Sequence, residues 1–281
     1  MLCVSTRRRV IFSFLGAGAA LAYPCVVEPR WWDVTTKRVR LSRARLERPV
    51  RILHLSDLHA SAVVPLEMIA AAVAAGMAER PDIVCLTGDF ITHRADSPRA
   101  ADYARVLRPL SNGAQAFAVM GNHDGGRWAA RTRGWDNHLQ VDRILEDSGI
   151  EVLHNRSRVV EVRGQKLVFA GTGDYWSQEV DPESAFRSVN SRLPVVLLAH
   201  NPDTKDLCSP YCWDLMLSGH THGGQVIVPF YGSPFRPVQD MRYIAGLKPW
   251  GARQIHVTRG VGNLLGVRLN CRPEVSLLEV G

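Results

Sequence analysis

The sequence predicts an α/β protein in which helices pack outside stacked β-sheets. Three observations carry this expectation. From residue 50 onward, short apolar runs of strand length alternate with loops and, in the first half, with helical segments. Strands dominate the second half, which fits layered sheets with helices on the outside. Almost every expected strand ends in a cluster of Asp, His and Asn, and α/β sheets collect ligands at the carboxyl ends of their strands.

The elements follow in order. Val50 to Leu55 reads as a buried strand. Pro65 to Ala78 reads as a helix, with proline early and Ala, Leu, Met and Ile dominating. Residues 82–86 and 116–119 are the next strands, and 137–147 a helix ending near Gly149. Strands follow near 151–154, 158–163 and 166–170, then at 195–199 and 215–217. Residues 254–258 and 275–280 close the sheet. The Pro/Gly-rich stretch 229–251 reads as a long loop, of a length that is often functional. No repeat, low-complexity tract or linker interrupts residues 50–281, which are expected to form one domain. Residues 1–27 form a basic and apolar segment, and residues 28–49 a basic lead-in.

The composition supports this division. A length of 281 residues suits one large domain or two small ones. With 46% hydrophobic and 22% charged residues, the chain is neither disordered, nor collagenous, nor a polytopic membrane protein. Six cysteines are too few for a disulfide-built scaffold. Cys85 reads as a small buried apolar residue. Cys208 and Cys212 stand four apart and read as reduced thiols.

The net charge of +7 is unevenly spread. Residues 1–51 hold eleven basic and three acidic residues, a net +8 that leaves the remaining 230 residues at −1. A nucleic-acid enzyme spreads positive charge over its working face, so no nucleic-acid partner is expected. Charge concentrated beside an apolar segment points instead to an anionic membrane surface.

Arg7-Arg8-Arg9 precede an apolar run from Val10 to Val27, marginal for a spanning helix of about 20 residues. A signal peptide, an uncleaved anchor and an ordinary buried helix all accommodate it. Thr6-Arg7-Arg8-Arg9-Val10-Ile11 loosely resembles a twin-arginine export signal, whereas the eight basic residues that follow the run favour cytoplasmic retention. The side of the membrane stays open.

The strand ends carry the chemistry. They give Ser56-Asp57-Leu58-His59, Gly88-Asp89, Gly121-Asn122-His123-Asp124, Ala199-His200-Asn201 and Ser218-Gly219-His220-Thr221-His222-Gly223-Gly224. Each motif alone is weak: Gly-Asp is a common turn, and a lone His200 fits a buried structural role. All five in order, each after an apolar strand, point to one metal site. Imidazole and carboxylate without cysteine suit manganese, iron, zinc or a similar divalent ion. Seven candidate ligands exceed one tetrahedral zinc and fit two ions sharing a carboxylate.

These residues resemble the calcineurin-like metallophosphoesterase superfamily, from about residue 50 to the C-terminus. Ser-Asp-Leu-His, Ala-His-Asn-Pro-Asp, Ser-Gly-His-Thr-His-Gly-Gly-Gln and the basic apolar N-terminus are similar to a bacterial membrane-associated branch. So are Thr258-Arg259-Gly260-Val261-Gly262 and Asn270-Cys271-Arg272-Pro273-Glu274. That branch includes YaeI-type phosphodiesterases and a UDP-2,3-diacylglucosamine pyrophosphatase of lipid A synthesis. The resemblance implies a four-layer α/β-β/α sandwich with a dinuclear metal site at the strand ends. It implies that Asp57, His59 and His222 hold one metal, Asn122, His200 and His220 the other, and that Asp89 bridges them. His123 would be the catalytic histidine, oriented by Asp124.

The implied reaction is metal-dependent hydrolysis of a phosphoester, with manganese the expected ion and zinc, iron or cobalt as alternatives. The basic N-terminus favours a lipid-linked phosphate such as UDP-2,3-diacylglucosamine. Asp174 and Trp176 would line an acyl or base pocket, and Arg94, Arg127 and Arg259 would contact phosphate. A general phosphodiesterase on soluble or cell-envelope diesters, a protein phosphatase and a non-enzymatic metal-binding envelope protein are the competing classes.

Overall fold

The computed structural model describes residues 22–43 and 46–281. The expected leader or anchor lies mostly outside them. Among the described residues no helix is long and apolar enough to cross a membrane.

In chain order the strands are β1 (Asp33–Val39), β2 (Val50–Leu55), β3 (Ile83–Thr87), β4 (Gln115–Val119), β5 (Glu151–Val152) and β6 (Arg156–Val162). They continue as β7 (Gln165–Gly171), β8 (Val195–Leu198), β9 (Leu215–Ser218), β10 (Gly246–Trp250), β11 (Arg253–Val257) and β12 (Glu274–Val280). One sheet has the order β1-β12-β2-β3-β4-β5 and the other β10-β11-β9-β8-β7-β6. Strands β2 to β5 pair in parallel, as do β7, β8, β9 and β11, so both sheets are mixed but mainly parallel.

Alternation along each strand builds the layers. Val50 and Ile52 of β2, Ile83 and Cys85 of β3, and Phe117 and Val119 of β4 face the second sheet, where they meet Phe169, Val196, Leu198, Leu215 and Leu217. Their neighbours Leu53, Leu55, Val84, Leu86, Ala116 and Ala118 face the other way, toward helices α1 (Leu66–Ala78), α2 (Ala100–Gly113) and α4 (Leu139–Asp147). Strands with side chains buried on both faces read as nearly continuous apolar runs, which is what made them visible in the sequence. The second sheet turns Val195, Leu197 and Met216 outward, against a smaller core with Phe186 and Trp213. Each fully buried Val, Leu, Ile or Phe contributes about 1.5–3 kcal/mol. The short helices α3 (Gly126–Arg131), α5 (Pro182–Phe186) and α6 (Thr204–Leu207) lie on the connections. The result is the expected helix-sheet-sheet-helix sandwich.

Three elements differ from the expectation. The lead-in 28–49 contains β1, which extends the first sheet ahead of residue 50 by pairing in parallel with β12. Its sequence, Asp-Val-Thr-Thr-Lys-Arg-Val, buries only Val39 and so lacks the apolar signature of a strand. The stretch 229–251 read as loop contains β10, a Gly- and Pro-bearing edge strand that forms a hairpin with β11 through Gly251. Helix α2 also escapes the sequence pattern; it carries Pro109 in its interior and buries Tyr103, Ala104, Leu107 and Leu110.

Candidate metal centre

The carboxyl ends of β2, β3, β4, β8 and β9 deliver the expected residues to one edge of the sandwich. His59 Nε2 lies 3.0 Å from His222 Nε2 and 3.4 Å from Asp89 Oδ2. His222 Nε2 lies 3.4 Å from Asp57 Oδ1. On the other side of Asp89, its Oδ2 lies 3.2 Å from His200 Nε2, which in turn lies 3.2 Å from His220 Nδ1. Asp89 thus sits between a group of Asp57, His59 and His222 and a group of His200 and His220. The side chain of Asn122 is beside them, and its Oδ1 is buried with no hydrogen-bond partner.

The backbone is bent to achieve this. Asp57, His59, Asp89, His220 and His222 all have φ between 47° and 69°, the left-handed region that side chains rarely adopt. Such residues cost about 1–3 kcal/mol each and persist where the surroundings over-determine them. Here the surroundings are hydrogen bonds between strand ends. Asp57 and His59 donate their N–H groups to the carbonyls of Gly88 and Asp89 at 2.9 Å. His220 N–H donates to the Asp57 carboxylate at 3.0 Å. Gly88 and Gly121 pack so closely that a Cβ on Gly88 would strike the Gly121 backbone and one on Gly121 would strike Asp89.

Arg268 buttresses the site from behind. Its guanidinium is fully buried and donates to the carbonyls of Arg259 (2.7 Å), Gly262 (2.5 Å) and Cys271 (3.0 Å). The loop it grips returns hydrogen bonds to the first ligand segment, Val261 N–H to Ser56 O at 3.0 Å and Gly262 N–H to Asp57 O at 2.7 Å.

Burial and mutual charge set the protonation of the group. Burial pushes His59 and His220 down to about 3 and His222 well below its ordinary value, so these rings stay neutral with a lone pair free. Burial also pulls on His200, but the adjacent Asp89 carboxylate outweighs it and raises His200 to about 10. His200, with help from His123, holds Asp89 well below the carboxylate range against the same burial. Burial raises Asp57 to about 6. Neutral imidazoles, a bridging carboxylate and an orphaned amide oxygen form a donor set that fits two divalent cations.

A cavity of about 230 Å³ opens onto the cluster. Asp89, Asn122, His123, His220 and His222 form its polar floor, and Trp128, Trp176, Phe235, Pro237, Leu264 and Leu265 contribute apolar walls. The Trp176 ring stands edge-on to His220 with centroids 4.1 Å apart, and Trp128 packs on His123 at 4.7 Å.

Several expected roles change. Asp124 does not orient His123. Its buried carboxylate accepts the N–H groups of Asp89 (2.8 Å), Phe90 (2.6 Å) and Gly121 (2.8 Å), fastening two ligand loops together. His123 is instead held through Nδ1 by the carbonyl of Thr92 at 2.8 Å. Arg259 is turned away from the cavity and pairs with Asp33 at 3.0 Å and Glu274 at 3.3 Å. Arg94 lies over Trp135, and Arg127 donates to Gln178 at 2.6 Å; neither lines the cavity. Asp174 is buried and does not line the cavity, its Oδ2 accepting Ser177 N–H at 2.6 Å. Trp176 alone of the expected substrate contacts is in the wall. Thr92 acts through a main-chain oxygen, which no residue type announces. Trp128 and Arg268 act through distant packing, which no local pattern encodes. Cys85 and Cys208 are buried free thiols and Cys212 an exposed one, so that pair is not joined.

Residues 50–224 match the family model described as calcineurin-like phosphoesterase. The chain belongs to the calcineurin-like phosphoesterase family. Among its calcineurin-like relatives, "Phosphodiesterase YaeI" of Escherichia coli is 40% identical over 95% of this chain and 94% of its own. "UDP-2,3-diacylglucosamine pyrophosphatase LpxG" of Chlamydia trachomatis is 25% identical over 82% of this chain and 83% of its own. Of solved structures, the Haemophilus influenzae NAD nucleotidase matches in fold with a TM-score of 0.50 at 13% identity, over 76% of this chain and 46% of that one. As a calcineurin-like phosphoesterase the protein is a hydrolase, and the His/Asp groups fit the dinuclear divalent site that this family uses.

Proposed function

We propose that the protein is a phosphodiesterase that cleaves a lipid-linked phosphodiester or pyrophosphate at the membrane surface. Asp57, His59 and His222 would hold one divalent ion, Asn122, His200 and His220 the other, with Asp89 shared between them and manganese the ion to test first. The ions when bound supply Lewis-acid activation of the phosphoryl group and of the attacking water. The chain's own contribution is positional. The Thr92 carbonyl accepts only, so His123 Nδ1 carries the hydrogen and Nε2 is left free at the cavity floor. There, carrying a second proton as an imidazolium, it would serve the leaving oxygen as a proton donor, a role worth about 10²–10⁴-fold. Trp128 and Trp176 exclude water from one side of that position.

One observation carries the lipid part: the mouth of the cavity is an apolar rim beside the N-terminal segment. Leu265 is 85% exposed and lines both the cavity and a groove formed with Cys25, Pro29 and Val63. Pro24 is tied to the same loop through Arg268 N–H to Pro24 O at 2.8 Å. Phe235 is half exposed, and Phe230 and Tyr231 stand clear of the surface at the tip of a tight turn closed by Val228 and Gly232. Exposed apolar patches of this kind mark membrane or partner contacts. The described end of the apolar run, residues 22–27, therefore lies next to the cavity entrance, so a substrate seated in a bilayer there would reach the metals without crossing water. The pyrophosphatase relative makes UDP-2,3-diacylglucosamine the concrete candidate. A broader phosphodiesterase acting on soluble or envelope diesters is the second reading, favoured by the name of the 40% identical relative.

Parallel assays with manganese distinguish them. UDP-2,3-diacylglucosamine, a chromogenic diester and a monoester are incubated with the full chain. Highest kcat/KM on the lipid supports the first reading; highest kcat/KM on the soluble diester supports the second and removes the first.

A further inference from the structure

We propose that His138, His154 and Glu179 form a separate zinc site that braces the aromatic wall of the catalytic cavity. Among the described residues this is the one cluster of three metal-ligating side chains that shares no member with the catalytic group. Its ligand atoms all lie within 4.8 Å of one another. His138 Nε2 is 2.8 Å from Glu179 Oε2, and the two imidazole rings are 5.6 Å apart. His138 Nδ1 is shut off from water and has no hydrogen-bond partner.

A His–Glu ion pair would need only two of these residues. The second imidazole within reach of the same carboxylate is what a metal site adds. Two imidazoles and one carboxylate are a known zinc donor set, leaving a fourth position for water. Zinc distances of about 2.0–2.1 Å put tetrahedral ligands about 3.4 Å apart, so side-chain rotations of about an ångström close the site. Asp142, one turn into α4 from His138, acts electrostatically on both rings and adds negative charge facing the site. Glu146 lies on the same helix, acting on Asp142, and Arg156 opposes from the strand after His154.

The three ligands come from three connections, two of which are already tied by Asn155, whose side chain donates to the Glu179 carbonyl at 2.7 Å and accepts the N–H groups of Gly173 and Asp181. His138 precedes α4, His154 follows β5, and Glu179 lies in the loop after β7 that carries Trp176. The Glu179 carboxylate packs against Gly126 at the start of α3, where any Cβ would collide with it. Helix α3 carries Trp128, whose ring lies 5.5 Å from Trp176 and 4.7 Å from His123. A cation here would therefore cross-link the two tryptophans' supports from behind.

Zinc content decides the matter without relying on turnover. The full chain, His154→Gln and Glu179→Gln are stripped, reloaded with excess zinc, gel-filtered and measured by elemental analysis. The wild type is expected to keep one more zinc per chain than either variant, and both variants to lose the thermal stabilisation that this zinc gives the wild type. Cobalt in the wild type should show a four-coordinate visible spectrum component absent from both variants. Equal zinc content in all three folded proteins would overturn the proposal. If both variants fail to fold, the wild type alone decides: three zinc ions per chain support the site, and two remove it.

Discussion

His123 donates its Nδ1 hydrogen to the main-chain carbonyl of Thr92 at 2.8 Å, which fixes the ring's tautomer and points Nε2 at the cavity floor. A main-chain acceptor cannot exchange roles with the ring as a hydroxyl would. His123→Ala should therefore lower kcat by about 10²–10⁴-fold while leaving two metal ions bound. Steady-state kinetics with metal analysis on the same sample checks this. Metal lost together with rate would reassign His123 as a ligand.

Asp89 is the shared group. One oxygen faces His59 at 3.4 Å and His200 at 3.2 Å, and the other accepts His123 N–H at 2.9 Å. Asp89→Asn removes the negative charge that both cations would share. Metal content should fall below two per chain, and activity with it, while Asn122→Ala should deplete one ion only. Elemental analysis after gel filtration reads both.

Asp124 fastens loops rather than orienting His123. Substituting Asn turns a donor toward backbone N–H groups that now meet an acceptor, and each donor left unpaired costs about 1–3 kcal/mol. Asp124→Asn should lower unfolding free energy by about 2 kcal/mol in urea titrations. Unchanged stability would show that these loops do not depend on it.

Metal binding should release protons. In the metal-free protein His200 is raised to about 10 by Asp89, and burial raises Asp57 to about 6. A cation can bind only after these protons leave, so raising the pH favours binding. At pH 7 loading should release close to one proton, from His200, and at pH 5 more, as Asp57 is then protonated too. Manganese affinity should accordingly rise from pH 5 to pH 8. Calorimetry in two buffers of different ionisation enthalpy measures the protons directly; an affinity independent of pH contradicts this account.

The apolar rim makes a prediction about substrate delivery. Phe230 is fully exposed at the turn beyond the cavity mouth. If it inserts into lipid, its burial is worth about 1.5–3 kcal/mol. Phe230→Asp should then cut kcat/KM on a vesicle-embedded substrate by about tenfold or more, with little change on a soluble chromogenic diester. An equal effect on both substrates would remove the insertion.

Much of this site was legible because its chemistry is local. Asp-x-His, Gly-Asn-His-Asp and His-x-His each follow an apolar strand, so the sequence itself marks both the element and the ligand. The roles that were misread depend on three-dimensional partners. Arg259 looked available because Asp33 and Glu274, which occupy it, are 226 and 15 residues away. Asp124 stands next to His123 in sequence, yet its carboxylate turns to the backbone of 89 and 90 instead. Strand β1 was invisible because pairing with β12, not apolar content, makes it a strand. The left-handed backbone at five ligand positions has no residue signature at all.

The most direct measurement is hydrolysis of a chromogenic phosphodiester by protein stripped with a chelator, then titrated with manganese. A dinuclear centre around Asp89 predicts no turnover in the stripped protein and full recovery at two ions per chain. Full turnover without metal, or recovery complete at one ion, would contradict it.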